Sequence, residues 1–412
     1  MTAAAFLPGN VAAQTVVDGT PEIVGVADRQ RPEFRPIGGR LGAFFLYPTL
    51  SVSGGATDNA RADPARVDDA FLLVAGEARL SSIWSRHSLN LQAYGNRSIH
   101  SLETEDVTQF GGQLDGRLNL TSDTSLNAVV RADHLAEDRS NFASPRDARE
   151  PIRFDRVRAS LGGTHAFGRF TLTSQLAYTS VSFEDAVSQA GTPISQRYRD
   201  ARLYSSAASI AYAIAPGYSV LLSGAADRRD YSLSAADPRQ PGNIERDSWG
   251  GRIETGMRLT VNNVIAGEIR AGYLTRNYAD PRLLDTSGPS FGANLLWNVS
   301  RVMSVRAAAD RRVDEAGSTL AAGTRVTEGS LKIEYEIERN LIVTGSARIA
   351  NLKPLSLGSE SSTERGATAR ALYIASRLIS LHADFAHTQR NSPDPLFAHR
   401  ENRVAAGIRF AF

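Results

Sequence analysis

From Leu41 to the last residue the chain alternates, with apolar side chains at every second position in segments of about ten residues. In one segment Leu331, Ile333, Tyr335 and Ile337 alternate with Lys332, Glu334 and Glu336. The last segment sets Val404, Ala406, Ile408, Phe410 and Phe412 against Arg403, Ala405, Gly407, Arg409 and Ala411. A third sets Ile265, Gly267, Ile269, Ala271 and Tyr273 against Ala266, Glu268, Arg270, Gly272 and Leu274. A period of two places successive side chains on opposite faces of a strand. No helical pattern of comparable quality occurs.

The connections alternate as well. Short turns fall at Ser85–His87, Ser122–Thr124, Gly168–Arg169, Ala215–Gly217, Asn262–Asn263, Ser300–Arg301, Glu338–Asn340 and Ser376–Arg377. Longer polar loops fall near 57–69, 101–107, 137–151, 185–198, 230–247, 279–288, 313–324, 353–364 and 389–402. Eight turns and nine loops join about eighteen antiparallel strands. A soluble sandwich has no reason to gather its long loops at one end. Outer-membrane barrels do so, with short periplasmic turns, long extracellular loops and an even strand number. About 9–11 tilted residues cross the bilayer core. The sheet must also close, because lipid offers backbone groups no partner. The fold expected is therefore an all-β transmembrane barrel over residues 41–412, in the cell outer membrane. A ring of this size leaves an aqueous lumen unless something plugs it.

Aromatic side chains sharpen the orientation. Trp84, Phe167, Phe170, Tyr212, Tyr218, Trp297, Tyr335 and Phe412 sit beside short turns or at the chain end, as a periplasmic interfacial girdle would. Phe410 and Phe412 close an amphipathic terminal strand. That ending resembles the signal read by the barrel-assembly machinery.

Composition removes several classes. No uninterrupted apolar stretch is long enough for a transmembrane helix. The chain has no cysteine, which excludes thiolate metal sites and disulfides. Its 46 basic and 44 acidic residues nearly balance, so a nucleic-acid partner is not expected.

The face opposite the apolar one is rich in charge. Its candidate lumen residues are Arg79, Arg117, Arg131, Arg252, Glu254, Arg258, Glu268, Arg270, Arg306, Lys332, Glu334, Arg348, Arg370, Asp384 and Arg409. Such a wall can bind hydroxyl-rich or acidic solutes transiently through guanidinium and amide donors. It can equally be satisfied by cross-strand pairing, as Glu254, Glu268, Arg252 and Arg270 on adjacent strands suggest.

No catalytic site is legible. The seven histidines lack metal-ligand spacing and there is no G-x-S-x-G elbow. His382-x-Asp384 faces the lumen and His134 follows Asp133, but neither has an identifiable nucleophile. The expectation is a protein without enzyme activity, cofactor or metal.

The amino-terminal stretch MTAAAFLPGNVAAQ ends in small residues like a truncated or residual signal peptide over 1–13. Residues 14–40, with prolines, glycines and no period, read as an extended periplasmic lead. Such a lead is too short for the plug of a TonB-dependent transporter.

Within that lead, Arg31-Pro32-Glu33-Phe34-Arg35-Pro36-Ile37-Gly38 is followed by Gly42-Ala43-Phe44-Phe45-Leu46-Tyr47-Pro48 and by Asp58-Asn59. This series resembles the opening of the putative beta-barrel porin 2 family, R-P-E-Y/F-x-P-x-G, then G-x-F-x-x-x-P, then D-N. The chain departs at Ala60 and Arg61, where an apolar or aromatic residue is expected. The resemblance implies an outer-membrane protein that often accompanies exopolysaccharide or capsule biosynthesis. It therefore implies passage of a polysaccharide, with the glycan and periplasmic export components as partners beside membrane lipid and the assembly machinery. The alternatives are a general diffusion porin for small solutes and a structural or interaction barrel whose lumen is closed by loops. Pro48 removes one ladder donor from the first strand, so a weakened seam or a bulge is expected there. Asp58 and Asn59 are expected to form a turn.

Overall fold

A computed structural model describes residues 23–262, 264–314, 323–356 and 359–412. The residues read as a signal remnant (1–13), the start of the lead (14–22) and the turn residue Asn263 lie outside the described residues. The described chain forms one closed antiparallel barrel.

The first six strands are β1 (Phe44–Thr57), β2 (Asp69–Ser82), β3 (Ser88–His100), β4 (Val107–Asn119), β5 (Thr124–Ala136) and β6 (Arg153–Phe167). There follow β7 (Phe170–Phe183), β8 (Ala201–Ala215), β9 (Tyr218–Tyr231), β10 (Ser248–Val261), β11 (Ile265–Tyr278) and β12 (Thr286–Trp297). The ring ends with β13 (Met303–Asp314), β14 (Thr324–Glu338), β15 (Leu341–Pro354), β16 (Ser362–Ile374), β17 (Ile379–Asn391) and β18 (His399–Ala411). Each strand pairs with its sequence neighbour, and β18 returns to pair with β1 from Thr49↔Ala411 to Thr57↔Arg403. Closure leaves no free sheet edge in lipid.

Side chains sort by face as the alternation requires. Leu331, Ile333, Tyr335 and Ile337 are exposed, as are Ile269, Tyr273, Val404 and Phe385, while Glu334, Glu336 and Glu254 on the opposite faces are buried. Charged partners also meet across an intervening strand, as Arg276 of β11 meets Asp227 of β9. Such contacts belong to the concave side, so the charged face lines the lumen and the oily face meets lipid. All eight girdle aromatics are exposed, and Phe167, Phe170 and Tyr212 stack in a row beside the turns.

The short turns are held by backbone hydrogen bonds and by glycine where φ is positive. Gly217 has φ +78°, and a Cβ there would stand 2.1 Å from the Thr260 carbonyl oxygen. Any other residue would clash at that turn.

The strands run to 12–15 residues, longer than the 9–11 needed to cross the core. Their outer ends carry exposed, outward charges such as Arg97, Asp155 and Arg228. The ladder thus continues past the hydrocarbon into the extracellular side.

Pro48 neither weakens the seam by a gap nor makes a bulge. The β1–β2 register runs unbroken through Pro48↔Ala78. On its other side Pro48 marks a change of partner. Above it β1 pairs with β18. Below it a three-residue strand, Gly39–Leu41, folds back onto Leu46–Phe44. The Pro48 carbonyl accepts the Phe412 N–H at 3.0 Å, and its missing donor falls at the changeover.

The described part of the lead, residues 23–40, is not a free extended segment. It makes two single turns, Val26–Asp28 and Pro32–Phe34, and lies against the inner wall at the turn end of β13 and β14. Val26 is fully buried and its N–H donates to Ser304 Oγ at 2.8 Å. The Ala27 N–H donates to Glu334 Oε2, and Arg31 pairs with Glu336 at 2.6 Å. Glu33 then meets Arg339, and its carbonyl accepts from Arg377. The strap therefore follows the rim from the β12–β13 turn to the β16–β17 turn.

Candidate functional site

The inward charges form chains of ion pairs rather than a bare cationic wall. Arg252 and Arg270 converge on Glu254 at 3.6 and 3.7 Å, and Arg258 and Arg270 on Glu268 at 2.8 and 3.1 Å. The register explains the pattern. Arg258 lies opposite Glu268, whereas Arg270 lies opposite Gly256, where the missing side chain leaves its guanidinium room to swing to Glu254. Lys332 and Arg306 approach Glu334, which also accepts from Ser304. Arg370 pairs with Asp384 at 2.8 Å. Arg131 pairs with Asp133, which also takes Arg156 and the Tyr94 hydroxyl. Arg117 donates to Asn119 and Ser125. Arg79 stands opposite Gln92, and Arg409 opposite Ser51 and Ser380, all on the same inward face.

Toward the loops the network lengthens. Arg312 bridges Asp310, Asp314 and Glu328, and Arg348 bridges Glu328 and Glu364. Arg390 continues it from Glu364 at 2.6 Å. Glu328, Glu364, Arg312 and Arg390 were not among the residues singled out from sequence, because they lie where strand ends and loops could not be separated by pattern.

The loop joining β5 to β6 crosses part of the outer mouth. Arg390 of β17 donates to the Ser140 carbonyl, and Phe142 packs on Phe397 with centroids 5.1 Å apart. Arg146 sits 4.6 Å over the Phe397 ring and donates to the Ala62 carbonyl. Arg199 and Glu137 form a buried pair at the root of the same loop. At the neighbouring mouth, burial pushes the Asp200 and Asp247 carboxyls up, against hydrogen bonds from the Phe183 and Tyr231 N–H groups.

Asp58 and Asn59 do turn the chain, and they also fasten the barrel. Asp58 accepts from the backbone and side-chain amides of Asn402, both at 2.6 Å. Burial raises its carboxyl, but these two bonds, with Arg66 and Arg400 nearby, hold it below the ordinary value. Asn59 is buried and its Nδ2 donates to the Asp63 and Arg400 carbonyls. Arg61, at the departure from the family pattern, pairs with Glu105 at 3.2 Å.

The two histidine candidates resolve differently from one another. His134 and Asp133 point to opposite faces: Asp133 joins Arg131 inside, and His134 pairs with Asp155 outside at 2.9 Å. His382 Nε2 lies 3.1 Å from Ser53 Oγ and 3.7 Å from Asp384, so a single ring nitrogen faces both groups. A third histidine, passed over in the sequence, uses both nitrogens. Ser98 Oγ lies 2.7 Å from His100 Nε2, and His100 Nδ1 lies 2.5 Å from Asp69 Oδ2. The signal existed in the register: Phe71↔His100 puts Asp69 two residues beyond the pair on the inward face, where Ser98 also points. Among the described residues no cluster of three or more potential metal ligands occurs.

The model of the family described as "Putative beta-barrel porin 2" matches residues 31–412. No curated protein matches the chain. Among solved structures, OpdL of Pseudomonas aeruginosa is 11% identical, covering 90% of this chain and 99% of that one at a TM-score of 0.46. The siderophore receptor PirA of the same organism is 10% identical, covering 93% and 81% at 0.46. The alcaligin outer-membrane receptor FauA of Bordetella pertussis is 11% identical, covering 88% and 76% at 0.43.

Proposed function

Because the chain belongs to the putative beta-barrel porin 2 family, we propose that this outer-membrane barrel forms a hydrophilic passage, and that an exopolysaccharide or capsular polysaccharide is what it passes outward. One observation carries the passage. Inside a closed cylinder whose other face meets lipid, charged side chains stay accessible: Arg370 is 52% exposed, Lys332 41% and Arg348 40%. Accessible charge at that depth requires water beside it. Solvent-exposed pairs such as Arg370–Asp384 are worth little, so they can exchange their partners for the hydroxyls of a sliding glycan. Passage itself needs no cofactor and no bond chemistry. Phe410 and Phe412, on the lipid face of the closing strand, are the features for the assembly machinery to read.

Purified barrel in a planar bilayer is expected to give discrete current steps. Deletion of the protein is expected to strip the surface polysaccharide and leave glycan in the periplasm. An unchanged coat would remove the polysaccharide and leave the passage. A second reading, a lumen closed by its loops, is favoured by the β5–β6 loop resting on Arg390 and Phe397. It would show as an insulating baseline that Arg390→Ala converts to steps.

A further inference from the structure

We propose that Ser98, His100 and Asp69 form a nucleophilic site on the lumen wall that cleaves small acyl esters from the passing solute. A carboxylate can only accept, so Asp69 fixes the hydrogen of His100 on Nδ1. That leaves Nε2 to accept from the Ser98 hydroxyl, the arrangement that turns a weak alcohol into a nucleophile. Asp69 is itself pinned, its side chain 0% exposed and its second oxygen accepting the Leu102 N–H at 3.1 Å. The ring is held flat by Phe71, with centroids 5.5 Å apart, and the His100 N–H donates to Asp106. Phe71 can lie there because β1 offers Gly55, where a Cβ would stand 2.4 Å from the phenyl ring. Arg403 sits 4.1 Å over the other part of this stack and is exposed to the lumen, placing a cation beside the site for an acidic solute. His382 differs, since its single Nε2 faces both Ser53 and Asp384.

The chemistry closes without a further reactant besides water. Ser98 Oγ bonds to the ester carbonyl carbon while its proton passes to His100 Nε2. The ester C–O bond breaks, and the departing alcohol takes that proton. Water then adds to the acyl–Ser98 carbonyl, giving its proton to His100 Nε2. The carboxylic acid leaves as Ser98 Oγ recovers the proton. Ser98 is 8% exposed, which fits a small acyl group such as acetyl. That the alcohol portion is a hydroxyl-rich chain rests on the passage proposed above; the site itself does not.

The test uses the folded full-length barrel, verified by its heat-modifiable mobility in electrophoresis. Diisopropyl fluorophosphate is expected to modify Ser98, located by mass spectrometry, and p-nitrophenyl acetate is expected to turn over. Ser98→Ala removes both, and His100→Gln slows both by about 10²–10⁴-fold, the usual worth of a positioned base. Asp69 is a positioning residue: Asp69→Asn slows labelling in a barrel that still folds, whereas Ser53→Ala leaves it unchanged. Folded wild-type protein that shows no adduct on Ser98, and no turnover above Ser98→Ala, overturns the proposal. Current steps recorded on the same preparation report passage separately, so either reading can fail alone.

Discussion

Two junctions of the ring differ in how they are held. Where β18 meets β1 the chain ends are far apart in sequence, and the junction is fastened at both ends. At the loop end Thr57-Asp58-Asn59 is joined to Arg400-Glu401-Asn402 by five hydrogen bonds involving side chains or backbone. At the turn end Phe412 bonds Pro48. Where β12 meets β13 the ladder runs only from Gly292↔Asp310 to Trp297↔Val305, about half the length of the ladders on either side. Above it stands Pro289, which cannot donate, and the free end of β13 is tied instead to β9, whose Arg229 donates to the Val313 carbonyl at 3.2 Å. The difference follows from loop closure. Hairpin partners are tethered by a turn and can afford a broken ladder, whereas the closing seam spans the whole chain and has more entropy to offset.

The comparison can be broken in order of expected effect. Asn59→Ala leaves the Asp63 N–H and two carbonyls without partners and is expected to cost about 2–3 kcal/mol. The measurement is urea unfolding in lipid vesicles, and a cost no greater than that of altering Arg229 would undo the contrast. Acidification should come next. The Asp58 carboxyl is held below its ordinary value, so its contribution is present above the unfolded value of about 4 and is lost as pH falls through the lower folded value. Thermal midpoints should drop over that window in wild type and much less in Asp58→Asn. Arg229→Met is expected to cost about 1 kcal/mol, since Asp227 keeps Arg276 at 2.6 Å. Thr57→Val, which removes one bond to Glu401, should cost about 0.5–1 kcal/mol, read as a small shift in the same unfolding curves.

Much of this architecture was legible from side-chain alternation. The period of two gave the strands, their inward and outward faces and the girdle beside the turns, because lipid forces each backbone group into a ladder. The path of the β5–β6 loop was not legible, since a polar loop has no period and its contacts with Arg390 and Phe397 depend on the far side of the ring. The partners of the inward charges were half legible. Arg258 and Glu268 follow from a symmetric hairpin, but the chain from Arg312 to Arg390 requires exact register across five strands. His100 was missed for a related reason: Ser98 is two residues away on its own strand, but Asp69 comes to it only through the β2–β3 register.

The inner strap carries a consequence for assembly order. Its anchors, Ser304, Glu334, Glu336, Arg339 and Arg377, belong to the last third of the chain, although the strap itself precedes β1. The docking surface for Val26 thus does not exist until β13 and β14 are laid down. Synthesis and completion therefore run in opposite directions: the segment made earliest among these parts can be seated only after β13, β14 and the β16–β17 turn are in place.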